Sequence, residues 1–172
     1  MTSTESQKSI FKLNLEGNPV LRHKLSETDI TQDLEWDKIS DLMHRTMVAA
    51  NGMGLAANQV NVGLRMFVMN SDAKTFINPH IIETSKEKQS QEEGCLSFPN
   101  LFFQVTRPKY ILVEYYNEKL EEKVDRFEDL WAQCIQHEID HLNGVLFIDH
   151  ASKLKLNRAR IKQRKANDTS RR

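Results

Sequence analysis

The segment Gln136-His137-Glu138-Ile139-Asp140-His141 carries the pattern H-E-x-x-H, which on a helix sets two imidazoles one turn apart on a single face. Two such nitrogens can grip one metal ion, with Glu138 next to it and not ligating it. A hydrolase needs this arrangement: the ion brings the pKa of a bound water toward neutrality, and the neighbouring carboxylate takes the proton. Two histidines on a half-exposed helix face would satisfy the same spacing without any chemistry, so a third donor has to be sought elsewhere in the chain.

The metzincin extension, H-E-x-x-H-x-x-G-x-x-H, is met at Gly144 but fails at Phe147, and Asp149 and His150 lie off that spacing. Cys95 is the stronger candidate. It lies in Glu92-Glu93-Gly94-Cys95-Leu96-Ser97-Phe98-Pro99, where a glycine before and a proline after predict a turn or an irregular strand entering a site. A thiolate with two imidazoles leaves one coordination position open for water, although a buried free cysteine explains Cys95 taken alone just as well. Cys134, three residues before His137 on the apolar stripe of the helix, reads as core or pocket wall. His23, His44 and His80 match no ligand spacing and read as surface or packing residues.

A third unusual stretch is Gly52-Met53-Gly54-Leu55-Ala56-Ala57-Asn58-Gln59-Val60, with small residues where a backbone must come close to something. No Lys-Ser or Lys-Thr follows, so it is not a phosphate-binding P-loop. Its glycines would let the main chain of a substrate lie alongside, and the amide of Gln59 could point at a developing oxyanion. A tight helix-to-strand connection accounts for the segment equally well.

Hydrophobic periodicity gives the elements that must hold these segments. Ile39, Leu42, Met43, Met47 and Ala50 recur at three and four and predict a helix over 33–50, ending at Asn51-Gly52. Short apolar or β-branched runs predict strands over 64–69, 75–82, 101–105 and 110–116, with a hairpin at Asn117-Glu118 leading to 119–127. A second helix, over about 128–143, carries the H-E-x-x-H pattern and stops at Gly144. Strands lying between helices do not alternate as in a parallel sheet, so the predicted class is α+β with mostly antiparallel strands around the H-E-x-x-H helix and a helix at the C-terminus. Residues 1–9 are polar and read as disordered, 10–152 as the catalytic domain, and 153–172 as a basic C-terminal helix or tail.

With 172 residues, 39% hydrophobic and 28% charged, the chain has the composition of one globular domain and not of a disordered or membrane-bundle protein. The formal charges cancel at 24 against 24, but the cancellation hides an asymmetry. Residues 153–172 carry nine Lys or Arg and one Asp, a local +8, which leaves the remainder at −8. Within 152–166 only Leu154, Leu156, Ala159 and Ile161 offer apolar surface, so a helix there is expected to be largely solvated or to lie on something acidic. No apolar run approaches the roughly 18 residues that span a bilayer, the N-terminus lacks a secretory h-region, and Cys95 and Cys134 are expected unpaired. These features point to a cytoplasmic protein.

The three segments GMGLAANQV at 52–60, EGCLS at 93–97 and QHEIDHLNG at 136–144 closely resemble, in order, the three signature motifs of the peptide deformylases. A looser likeness runs through Gly17 to Arg22, Asn78-Pro79, Arg107 and Phe147 to Asp149, and so covers most of the chain. The resemblance implies that Cys95, His137 and His141 bind the metal and that Glu138 is general base and acid. It also implies that Gln59 and the backbone N–H of Leu96 hold the oxyanion, and that the substrate is the formyl group on the N-terminal methionine of a new polypeptide, released as formate. Met53, Gly54, Leu130 and Cys134 are the candidates for the methionine pocket. Gln133, one turn before His137, is polar where similar sequences carry an aliphatic or Arg residue, a departure that leaves the outer edge of that pocket unassigned. Donor softness alone favours Zn²⁺, whereas the resemblance implies Fe²⁺, with Zn²⁺, Ni²⁺ or Co²⁺ able to substitute. The basic tail resembles an extension through which some deformylases dock on the ribosome. The competing readings are an H-E-x-x-H metalloprotease and a non-catalytic, metal-stabilised ribosome-binding module.

Overall fold

Met66-Phe67-Val68-Met69 is apolar at every position, a pattern suited to a strand covered on both faces. In the computed structural model of the chain, which describes residues 10–169, all four side chains are fully buried. The expectation for residues 1–9 falls outside the described residues. The elements run α1 (Trp36–Ala49), β1 (Gly54–Ala56), β2 (Met66–Met69), β3 (Lys74–Thr84), β4 (Lys88–Cys95) and β5 (Phe98–Pro108). They continue with β6 (Tyr110–Tyr116), β7 (Glu122–Glu128), α2 (Asp129–Leu142) and α3 (Lys153–Thr169). Every strand pairing is antiparallel: β1-β2-β3-β6-β7 form one sheet and β4-β5 a second.

The alternation of β2 divides the interior in two. Met66 and Val68 join Leu55 and Ile77 under Trp36, Met43 and Met47 of α1. Phe67 and Met69 face the other way, with Phe76, Val113 and Phe127, against Ala132, Ile135, Ile139 and Leu142 of α2. Here Phe76 stacks on Phe67 at 4.5 Å and lies 4.2 Å from the Tyr115 ring. The larger sheet is therefore packed by a helix on each face, and α2 is enclosed because its opposite, polar side meets the smaller sheet. Gln133 of α2 bonds Gln91 and Glu93 of β4, while Gln136 and Asp140 bond Pro108 and Arg107 of β5. The expected central helix among antiparallel strands is thus the observed one.

Some boundaries differ from the sequence reading, each for a local reason. Residues 33–35 precede the first helix, and β5 is longer than predicted because it pairs with β4 along its length. The hairpin between β6 and β7 manages without glycine: Asn117 Oδ1 accepts from the backbone N–H of Lys119 and Glu121, and Leu120 takes the left-handed conformation at φ 60°. Helix α3 rests on β5 through Ala159 and Leu156, while Leu154 and Ile161 stay exposed. Arg160 of this helix donates to the carboxylate of Glu16.

Gly144 ends α2 at φ 72°, and a Cβ there would collide with the backbone carbonyl of Arg22. The left-handed conformation alone costs an L-residue about 1–2 kcal/mol. Gly144→Ala should therefore lose at least ~2 kcal/mol, read as a fall of roughly 4–8 °C in Tm in a thermal melt for a domain of this size. An unchanged Tm would show that the turn after α2 relaxes freely.

Candidate metal centre

Three elements deliver the chemistry-bearing residues to one place. Strand β4 ends at Cys95, α2 presents His137 and His141 one turn apart, and the short 3-10 turn Ala57–Val60 after β1 carries Gln59. Cys95 Sγ lies 3.2 Å from His141 Nε2, and the donor atoms of Cys95, His137 and His141 fall within 4.8 Å of one another. Among the described residues this is the one group of His, Cys, Asp and Glu side chains clustered as metal ligands would be. The two imidazole rings sit edge to face at 5.0 Å. The donor set suits a divalent transition metal. His137 uses Nδ1 on Glu93 Oε2 at 3.1 Å, which leaves Nε2 for the cluster, and burial holds His141 well below its usual pKa, in the neutral form that a ligand requires.

Glu138 is buried beside the cluster, and its Oε2 has no hydrogen-bond partner. Burial, opposed by the charge of His137, raises its pKa to about 7, where a carboxyl group can both take and return a proton. Gly54 is the residue this carboxylate leans on. A Cβ at position 54 would overlap Glu138 Oε1, so the glycine of β1 makes room for the acid. The orientation of Gln59 is fixed. Its Oε1 accepts from the Ala56 N–H at 2.8 Å, which directs Nε2 to Ser97 Oγ at 3.1 Å and toward Cys95 Sγ at 3.6 Å.

A cavity of about 580 Å³ opens beside this cluster. Met53, Gly54, Gln59, Cys95, Leu96, Leu130, Cys134, His137 and Glu138 all line it, whereas His141 lies behind at 1% exposure. Cys134 also packs against the core of the larger sheet, so it is pocket wall and core at once. Cys95 and Cys134 are both free thiols. His44 and His80 contact Thr75 and Glu27 and take no part in the cluster.

Gln133 also lines the cavity, and it is anchored there: it is 2% exposed, and its Nε2 donates to Glu93 Oε1 at 2.8 Å and to the Gln91 carbonyl at 3.3 Å. Its polarity is explained by the acid beneath it. Sequence reasoning also missed the part played by Glu93 itself, which Arg107 grips through Nε at 2.5 Å and Nη2 at 3.1 Å. Arg107 in turn reaches Asp140 at 2.8 Å, and Asp140 meets His150 at 2.8 Å. Burial works against the Glu93 charge, but His137 and Arg107 outweigh it and hold the pKa near 2. The signal was present as a glutamate two residues before Cys95, on the same side of any strand through that segment.

The chain matches the model of the polypeptide deformylase family over residues 10–157. It is 48% identical over 141 residues to a peptide deformylase of Pseudothermotoga lettingae, covering 81% of this chain and 82% of the relative. Among solved structures, the peptide deformylase of Legionella pneumophila superposes with a TM-score of 0.84 at 32% identity, over 95% of this chain and 99% of that one. The peptide deformylase of Thermotoga maritima gives 0.79 at 39% identity, over 84% and 99%. With the three motifs folded onto one cluster and likeness of this extent at both levels, the chain belongs to the peptide deformylase family.

Proposed function

We infer that the Cys95, His137 and His141 cluster is the reaction centre at which this chain hydrolyses the formyl group from the N-terminal methionine of newly made polypeptides, releasing formate. The observation that carries this reading is the buried, unpartnered Glu138 carboxylate beside three convergent metal donors at the wall of an apolar cavity. A metalloprotease reading lacks a third ligand downstream of His141, and a purely structural metal site has no use for a free carboxylate there.

We assign the metal to Cys95, His137 and His141 and propose Fe²⁺, with Zn²⁺, Ni²⁺ or Co²⁺ as substitutes. A divalent ion bound there would supply Lewis acidity to the formyl oxygen and lower the pKa of a water toward neutrality. Glu138 takes a proton from the attacking water at its free oxygen as the water oxygen bonds to the formyl carbon, and returns it to the amine nitrogen as the carbon–nitrogen bond breaks and formate leaves. Gln59 Nε2, held in place by the Ala56 N–H, and the backbone N–H of Leu96 take up negative charge on the formyl oxygen. Met53, Gly54, Leu130 and Cys134 accommodate the methionine side chain.

Glu93 keeps the ligand in position. Its hydrogen bond fixes the ring of His137 and selects the tautomer that leaves Nε2 free. We further read the basic α3 as a ribosome contact, whose strength would fall with rising salt, and the cytoplasm as the compartment. No helix among the described residues is long and apolar enough to cross a membrane.

Formate release from formyl-Met-Ala-Ser by the anaerobically iron-loaded protein tests the reading. Glu138→Gln should lose at least ~10² in kcat, within the range of general acid–base catalysis, while metal analysis finds the ion still bound. Full rate in that variant would remove Glu138 from the reaction. Gln59→Ala should lower kcat by ~10²–10³, again with the metal retained; a change confined to KM would assign Gln59 to binding instead. Glu93→Gln takes from the buried Arg107 one of its two carboxylate partners, Asp140 remaining, and from His137 its orienting acid. Metal affinity should fall roughly 10–100-fold and stability by about 1–3 kcal/mol, measured by metal titration and denaturant unfolding. Parent-like values in both would make Glu93 a bystander.

A further inference from the structure

A second cavity, of about 440 Å³, lies between β5 and α3 and meets the first one at Glu92 and Phe102, which line both. Phe102 is 52% exposed, and its ring lies over Gly94, where a Cβ would overlap it. Leu154, 61% exposed, adds a second apolar surface at the α3 side. Lys155, Arg158 and Lys162 follow each other at three and four on α3, share one flank, and line this cavity. Lys155 Nζ is held by the Gln104 carbonyl at 3.0 Å. Arg158 and Lys162 have no carboxylate partner among the described residues, in contrast to Arg160 on another side of the helix, which pairs with Glu16.

We propose that this groove binds the downstream part of the substrate peptide and favours acidic residues there. The proposal rests on the deformylase reading, since it takes the first residue of the peptide to occupy the larger cavity. An extended chain advances about 3.3 Å per residue, so a peptide leaving past Glu92 and Phe102 enters the second cavity within a few residues. Phe102 and Leu154 would contact its side chains irrespective of sequence, and the three cations would select carboxylates. Glu92 at the junction opposes an acid at that point, so the preference begins beyond it. That Glu92 and Phe102 line both this cavity and the metal-bearing one favours a peptide as occupant over ribosomal RNA.

The test compares kcat/KM of the iron-loaded protein on formyl-Met-Ala-Ser extended by four Asp or by four Lys. Exposed ion pairs are individually weak, but three together should give the Asp peptide about a tenfold advantage, or about 1.4 kcal/mol. That advantage should lie in KM and shrink as salt rises. Arg158→Glu combined with Lys162→Glu should bring the ratio to one or below, with a parent-like melt. A ratio near one in the parent chain, or one that survives the double substitution, overturns the proposal. So does a double variant that keeps the ratio but no longer co-sediments with ribosomes, which would assign the flank to RNA. The unextended tripeptide separates the two levels. If it is not hydrolysed, the deformylase reading fails; if it is hydrolysed without charge discrimination, only the groove assignment does.

Discussion

Glu93 ties the strand that carries the thiol to the helix that carries the imidazoles. One of its oxygens takes hydrogen bonds from Arg107 and Gln133, and the other faces His137. A carboxylate this deeply buried is tolerable only when paired and fully bonded, and these three partners meet that condition while spanning β4, β5 and α2. The cost of burying charge is thereby coupled to geometry. If the smaller sheet shifted against α2, an ion pair would be broken in the interior and His137 would lose its orientation. The position of the cluster is for this reason a property of the sheet–helix packing more than of any loop.

The same constraint explains why the two sides of α2 differ. Its apolar stripe packs on the larger sheet, against Phe76 and Val113 among others. Its other side is lined with Gln133, Gln136, His137 and Asp140, each bonded to a residue of β4 or β5. The cluster of donors and Glu138 lie at the seam between an apolar core and a polar interface. Burial raises the pKa of Glu138 there, and ion pairing holds Glu93 ionised a short distance away. Two carboxylates, close in space, are thus set to opposite protonation behaviour by their neighbours.

Much of this was legible in the sequence because the relevant patterns are local. The imidazole spacing, the apolar stripe of α2 and Gly144 after it appear within a dozen residues, and the helix they predict is present. The strand β4 was not legible. Lys88-Gln89-Ser90-Gln91-Glu92-Glu93-Gly94-Cys95 shows no apolar alternation, because its inward positions face polar groups and not a hydrophobic core. β1 was hidden for a different reason: its three residues form an edge strand inside a segment whose glycines and alanines read as a connection. The polarity of Gln133 is likewise answered by Glu93, far away in the sequence. Polar partners far apart in the chain leave no periodic trace, so the network around a site is less visible than the site itself.

The proposed chemistry requires one ion held by one sulfur and two nitrogens with a carboxylate nearby and unbound. Anomalous diffraction at the iron edge from anaerobically loaded crystals measures this directly. The predicted result is a single peak at roughly 2.0–2.3 Å from Cys95 Sγ and from one nitrogen each of His137 and His141, with Glu138 outside bonding distance. A peak elsewhere, or one bonded to Glu138 as a fourth protein ligand, would contradict it.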